Sequence, residues 1–299
     1  MKPSHILELI ALAALWGASF LFMRIGAAEF GPIALIELRV AIAAVVLIVI
    51  LGVFGKLPAL ARNVGPMTFI GITNSALPFC LFAYATLTVT GGFAAILNAT
   101  SPLWAAVVAF VWLRIRISAW RTFGLVLGFV GVVALVWGHV SLQGTGYGLA
   151  VVAGLAGSLS YGIAANYTRE RAASVEPLVI ATASQLAAAV CLLPLAIAYW
   201  PTAGVSARAW ISVVLMGVAS TALAYLLYFR LIRSVGPAKA ITVTFLVPVF
   251  AVVWGYFLLG EVITLQMLAS CLVILLGTAI STGLLGVPPG MRRAQPSSR

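Results

Sequence analysis

The stretch Gly71-Ile72-Thr73-Asn74-Ser75-Ala76-Leu77-Pro78-Phe79 decides the fold, because its pattern returns at Gly217-Val218-Ala219-Ser220-Thr221-Ala222-Leu223-Ala224-Tyr225. An offset of 146 holds for about 60 positions without a gap: Gly71 meets Gly217, Pro102 meets Pro248 and Gly131 meets Gly277. Identity is sparse, yet apolar segments, tight turns and prolines stay in register, which marks an internal duplication. Each copy carries five candidate membrane spans. An odd number makes the second copy enter from the opposite face, giving the inverted repeat found in many transporter folds.

A chain that is 63% hydrophobic and 8% charged lies far from soluble domains, where about a quarter of residues are charged. It reads as an all-α integral membrane protein. Apolar stretches of roughly 20 residues mark helical spans at 5–25, 33–53, 67–87, 91–113, 120–138, 146–167, 177–199, 208–229, 238–258 and 265–285. The first repeat then occupies 1–140 and the second 145–286. The polar, Pro-rich 287–299 is expected to be a disordered tail. The alternation of a membrane β-barrel is absent.

The net charge of +11 does not form a nucleic-acid patch, because the basic residues sit at span ends. With the N-terminus inside, the inner segments hold Lys2, Lys56, Arg62, Arg114, Arg116, Arg121, Arg169, Arg171, Arg230, Arg233, Lys239, Arg292, Arg293 and Arg299. Arg24 and Arg208 fall outside and Arg39 within a span. The positive-inside rule therefore places both termini in the cytoplasm of an inner (plasma) membrane protein. Gly26-Ala27-Ala28 resembles a signal-peptide cleavage site. However, Leu15-Trp16-Gly17-Ala18-Ser19 finds an internal counterpart in Leu155-Ala156-Gly157-Ser158-Leu159, so the first span is kept as part of the repeated fold.

Several chemistries lack their groups. There is no Asp, and the acids are Glu8, Glu29, Glu37, Glu170, Glu176 and Glu261. Hydrolytic or group-transfer catalysis needs paired acids, a His cluster or a nucleophile with its base, and none is spaced for it. No phosphate-binding Gly-rich loop with its Lys is present. Cys80, Cys191 and Cys271 stand singly in apolar spans, and His5 and His139 at span ends, so neither a metal site nor a cofactor is expected. The scarce carboxylates also argue against acid clusters for cations.

Two charges near or within the membrane are candidates for coupling. Glu8, placed in the first turn of span 1, either opposes the positive helix end or serves proton or substrate linkage. Arg39 lies roughly 10 Å below the outer interface at 1.5 Å per residue. It either snorkels to the headgroups or points inward to organise the bundle or meet a carboxylate. Glu37, two positions away, does not share its face. Glu261 lies in the short outer loop before span 10, which Thr264 is placed to cap.

Leu15-Trp16-Gly17-Ala18-Ser19-Phe20, Leu38-Arg39, Asn98-Ala99-Thr100-Ser101-Pro102, Pro248 and Leu259-Gly260-Glu261-Val262-Ile263-Thr264 with Gln266 resemble the EamA-type branch of the drug/metabolite transporter superfamily. Within it the chain is most similar to the YddG type of bacterial amino-acid exporters. The resemblance implies ten helices in two inverted five-helix repeats around a central cavity lined by spans 1, 3, 4, 6, 8 and 9, with 5 and 10 peripheral. Two departures stand out: Leu113-Arg114-Ile115-Arg116 replaces the Gly-Glu motif in the first repeat, and Ala269 replaces the usual Gly.

Ser75, Phe79 and Phe82 share one face of span 3, and Thr221, Tyr225 and Tyr228 match them in span 8. Inversion sends the two aromatic stripes toward opposite mouths, where they are expected to act as gates; aromatic packing is the plain alternative. Asn98 and Ser101 share a face of span 4, and Thr244 matches Asn98. Pro102 and Pro248, with Pro78 as a third kink or hinge, free the carbonyls four residues back. Those carbonyls are expected to face a cavity and to bind an ammonium, with Trp16, Trp104 and Tyr161 supplying apolar surface. The expected function is alternating-access export of small neutral metabolites, chiefly aromatic and other apolar amino acids, by a functional monomer in the lipid bilayer. Proton-coupled export of cationic drugs through Glu8 is the alternative.

Overall fold

In a computed structural model, the described residues are 2–137 and 145–285. The expected tail at 287–299 and His139 lie outside them. The described chain is helical throughout: α1 (Pro3–Phe30), α2 (Pro32–Val53), α3 (Val64–Ala85), α4 (Gly91–Val111), α5 (Ala119–Val136), α6 (Thr145–Arg171), α7 (Pro177–Ala198), α8 (Ala207–Val235), α9 (Val243–Leu259, preceded by a single turn at Pro237–Ala240) and α10 (Leu265–Ser281). The first eight are long and apolar enough to cross a membrane. α9 and α10, 17 residues each, sit at the short end of what spans about 30 Å of hydrocarbon.

The helix boundaries repeat at the residue level. Ser118 Oγ accepts from Arg121 N and starts α5, and Thr264 Oγ1 accepts from Met267 N and starts α10. Just before each cap, the chain enters the left-handed region at register-matched positions, Arg114 (φ 52°) and Gly260 (φ 65°). Ile115 N then bonds Ala109 O at 3.2 Å, and Glu261 N bonds Gly255 O at 3.1 Å. The Gly-Glu motif and Leu113–Arg116 thus build one turn from different residues.

α5 and α10 pack directly on each other through small residues. Gly124 lies against Ser281, Gly128 against Gly277, and Gly131 against Ile274. One index falls as the other rises, so these register-matched helices run antiparallel. A Cβ on Gly131 would stand 2.9 Å from Ile274 N, so glycine is what permits the approach.

The termini of α1 mark the two ends of the bundle. At one end, Glu8 pairs with Arg230 at 3.1 Å, while Glu176 binds Lys56 Nζ at 2.6 Å and Arg233 at 3.2 Å. At the other, Glu261 accepts from Gly91 N at 2.9 Å and Gly92 N at 3.4 Å. Arg24 donates there to the Thr86 and Val89 carbonyls, and Glu29 accepts from Ser206 N and Oγ, both at 2.7 Å. Glu261 therefore caps the positive end of α4 across the two halves. Glu8 is not in the first turn: α1 begins at Pro3, and Glu8 reaches Arg230 of α8 instead.

Candidate functional site

α3 and α8 each contain a π-helical turn, Ile72–Ala76 and Val218–Leu223, in the same register. A π turn inserts a residue into the helical ladder and turns the following side chains, a feature frequent at functional sites. Pro78 follows the first turn but Ala224 the second, so a proline is not required for such a turn. Both turns deliver a hydroxyl to the core: Ser75 and Thr221 are buried, and Thr221 Oγ1 donates five residues back to Met216 O at 2.9 Å.

Each hydroxyl is met by a side chain from the other half. Arg39 Nε of α2 donates to Thr221 Oγ1 at 3.0 Å, and Gln185 Nε2 of α7 donates to Ser75 Oγ at 2.8 Å. Residues 39 and 185 are themselves separated by the repeat offset, so the two bonds are mates about one pseudo-two-fold axis. The Arg39 guanidinium lies 3.7 Å from the centre of the Phe79 ring, a cation–π contact. The register mate of that ring, Tyr225, takes Asn74 Nδ2 at 3.4 Å and faces Ser75 and Gln185. Arg39 is 3% exposed and Gln185 0%. Arg39 thus takes the inward reading and does not snorkel. Glu37, two residues away, is also buried, with its Oε2 left without a hydrogen-bond partner.

The rings continue the symmetry. Tyr161 of α6 lies nearly parallel to Phe82, with centroids 6.0 Å apart, and edge-on to Phe79 at 6.3 Å. Trp16 of α1 meets Tyr228 at 5.3 Å. Gly17 packs on Phe250 and Ala251 as Gly162 packs on Trp104 and Ala105. These contacts correct the expected pairing within the first span of each half. Trp16-Gly17 corresponds to Tyr161-Gly162, at an offset of 145, and not to Ala156-Gly157. From Ser75 and Thr221 the stripes run outward in opposite directions, Phe82 toward the Arg24 end and Tyr228 toward the Arg230 end.

The proline kinks also differ from expectation. The Asn98 carbonyl freed by Pro102 is taken by Ser101 Oγ at 2.7 Å, so it is satisfied locally. α4 does interrupt at Ala99–Thr100, ahead of Pro102. In the second half the interruption falls at Ile241–Thr242, and Pro248 sits inside continuous helix. Thr244 Oγ1 donates to Ile241 O at 2.8 Å and does not join the Arg39 group. Trp104 packs edge-on to Phe129 of α5 at 5.1 Å, with its Nε1 buried and unbonded. Asn98, Ser101 and Thr244 are half-buried.

Two clefts open at the ends of the bundle. One, of about 430 Å³, is lined by Lys2, His5, Ser234, Val235 and Lys239; the other, of about 320 Å³, by residues including Arg24, Glu29, Arg208 and Glu261. Neither is lined by Arg39 or Gln185, both of which are buried. No group of three or more His, Cys, Asp or Glu side chains suited to a metal occurs among the described residues.

Gln185 and Asn74 were missed by reasoning from the sequence. Carrying the 146 offset back from 71 to 39 would have found Gln185, but a lone Gln in an apolar span gives no signal of its own.

Comparison with known proteins agrees with this architecture. The chain is 25% identical over 283 residues to the uncharacterized transporter YoaV of Bacillus subtilis (strain 168), covering 93% of this chain and 96% of YoaV. It is 27% identical to a probable terminal-alkyne amino-acid exporter of Streptantibioticus cattleyicolor, covering 88% of each. It is 28% identical to the uncharacterized inner membrane transporter YedA of Escherichia coli (strain K12), covering 86% of this chain and 83% of YedA. A solved crystal structure superposes with a TM-score of 0.67 at 18% identity, over 95% of this chain and 99% of its own, and so shares the fold. The model of the EamA-like transporter family matches twice, at residues 4–137 and 148–283. This multi-pass membrane protein therefore belongs to the EamA-like transporter family.

Proposed function

We propose that the protein exports small amino acids with aromatic or apolar side chains by alternating access, as a monomer in the inner membrane with both termini cytoplasmic. The observation that carries this reading is the paired contact at the core. A polar side chain of each half bonds the π-turn hydroxyl of the other, with aromatic rings alongside. Such a centre suits a ligand with a polar head and an apolar tail. The antiparallel α5–α10 seam supports an inverted repeat, which alternating access requires. The α3–α4 and α8–α9 hairpins, joined at Gly91-Gly92 and Gly236-Pro237, would rock about the fixed centre, with Phe82 and Tyr228 as their gates.

The name of one relative, a probable terminal-alkyne amino-acid exporter, points the same way. The cationic-drug alternative rests on Glu8, whose Oε2 is buried and unbonded but whose Oε1 is neutralised by Arg230. Counterflow in proteoliposomes with labelled phenylalanine, leucine and glutamate, run with and without a pH gradient, tests the proposal. Exchange of phenylalanine and leucine but not glutamate is expected; exchange of none of them overturns it.

A further inference from the structure

One charge at the core exceeds what the scaffold needs. Arg39 and Gln185 occupy matched positions and do the same structural work, reaching across to Thr221 and Ser75 at 3.0 and 2.8 Å. The neutral amide of Gln185 shows that this work requires no cation. A guanidinium at membrane depth is costly, and a buried charge normally has a charged partner. No described ion pair includes Arg39, with Glu37 or any other carboxylate.

Several buried polar atoms are left without a hydrogen-bond partner, Glu37 Oε2 and Ser220 Oγ among them, and two of these atoms sit on the matched arms. Arg39 Nη1 is buried without a hydrogen-bond partner, and so is Gln185 Oε1. One arm thus offers a spare cationic donor and the other a spare acceptor, and both lie beside Tyr225. An α-amino acid carries the complement of this pair on a single carbon, a carboxylate to accept and an ammonium to donate. Charge-assisted bonds to a guanidinium are the stronger of the two and set the orientation.

Resting on the export reading above, we propose that Arg39 binds the substrate carboxylate and Gln185 Oε1 its ammonium, so that the protein selects carboxylate-bearing compounds and rejects amines that lack one. The ligand's side chain then lies among Phe79, Phe82 and Tyr161. Entry needs Phe79 to leave the face of the guanidinium, which makes the head group itself the trigger that loosens the contact between halves.

The test is competition against labelled phenylalanine counterflow by phenylalanine, 3-phenylpropionate and phenethylamine, with the intact protein in proteoliposomes. In the wild type, phenethylamine should compete roughly tenfold or more weakly than the two acids, the scale of one lost charged hydrogen bond. Arg39→Gln copies the neutral arm, so it should keep the wild-type melting behaviour while either losing phenylalanine counterflow or, where counterflow persists, losing the preference for acids. Phenethylamine competing as well as phenylalanine in the wild type would overturn the carboxylate assignment yet leave export of small aromatic compounds standing. An unchanged preference in Arg39→Gln would overturn it too. If Arg39→Gln fails to fold, the wild-type comparison decides alone. Absence of any phenylalanine counterflow would remove the export reading and this inference together.

Discussion

The α5–α10 seam and the centre of the bundle obey the same pseudo-two-fold, but only the seam keeps it chemically. At the seam, Gly131 against Ile274 and Gly277 against Gly128 repeat a contact between small or aliphatic residues. At the centre the geometry repeats while the chemistry diverges: Arg39 against Gln185, Ser75 against Thr221, Phe79 against Tyr225, Phe82 against Tyr228. A seam only has to let two backbones approach, and small or aliphatic residues serve in both copies, Gly128 in one matching Ile274 in the other. A site for a ligand with two different ends cannot be built from identical halves. On the proposal above, recognition lies where the matched residues of the two halves diverge.

The largest effects are expected where backbones touch. Gly131→Val and Gly277→Val should each cost about 3 kcal/mol through overpacking in thermal denaturation in detergent, with the larger loss at Gly277, whose added side chain meets the backbone of Gly128 where that of Gly131 meets the Ile274 side chain first. A negligible loss at either position would break the close approach of the seam. At the centre the matched changes should differ. Thr221→Val leaves the buried Arg39 charge without its acceptor and should cost about 3 kcal/mol. Ser75→Ala strands only the Gln185 amide and should cost about 1 to 2 kcal/mol. Equal shifts would mean that the charge adds nothing.

Tyr225→Phe makes the second half copy Phe79 and deletes the 3.4 Å bond to Asn74, an expected loss of about 1 kcal/mol. A melting temperature unchanged by the substitution would show that the hydroxyl is not held.

The smallest effect lies at the charged end, outside the symmetric core. The hydrogen bond from Lys56, with the charges of Lys56 and Arg233, holds the Glu176 carboxyl below its usual 4.5. A carboxyl depressed by folding stabilises above its unfolded pKa and loses that contribution as pH falls through its folded one. These side chains are 30% to 70% exposed, so screening limits the contribution to a few tenths of a kcal/mol. The melting difference between wild type and Glu176→Gln should close below about pH 4.5; a difference that persists there would refute the pairing.

Much of this was legible before any coordinates. The spans, their number and the 146 offset follow from composition and spacing, because burial in lipid imposes the same apolar requirement on every helix. The polar-then-aromatic stripes could also be read, since helical periodicity fixes which residues share a face. Gln185 could not be singled out, because its importance lies in reciprocating Arg39 across the bundle. The prolines do not open carbonyls to a cavity: Ser101 satisfies the Asn98 carbonyl, and Pro248 sits within unbroken helix. The first-span pairing slipped by five residues because Gly157 and Gly162 are equally plausible partners for Gly17 until Trp104 and Phe250 show which one each glycine packs against.

The sequence by itself determined that the chain is a duplicated helical membrane protein and which residues are equivalent, since equivalence is a property of spacing. The tertiary structure alone decided which equivalent residues meet. It turned Arg39 inward onto Thr221, brought Gln185 to Ser75 and turned Glu8 to Arg230. The physical reason is that contacts between elements far apart in the chain depend on how helices rotate and cross. A single π turn is enough to change that rotation.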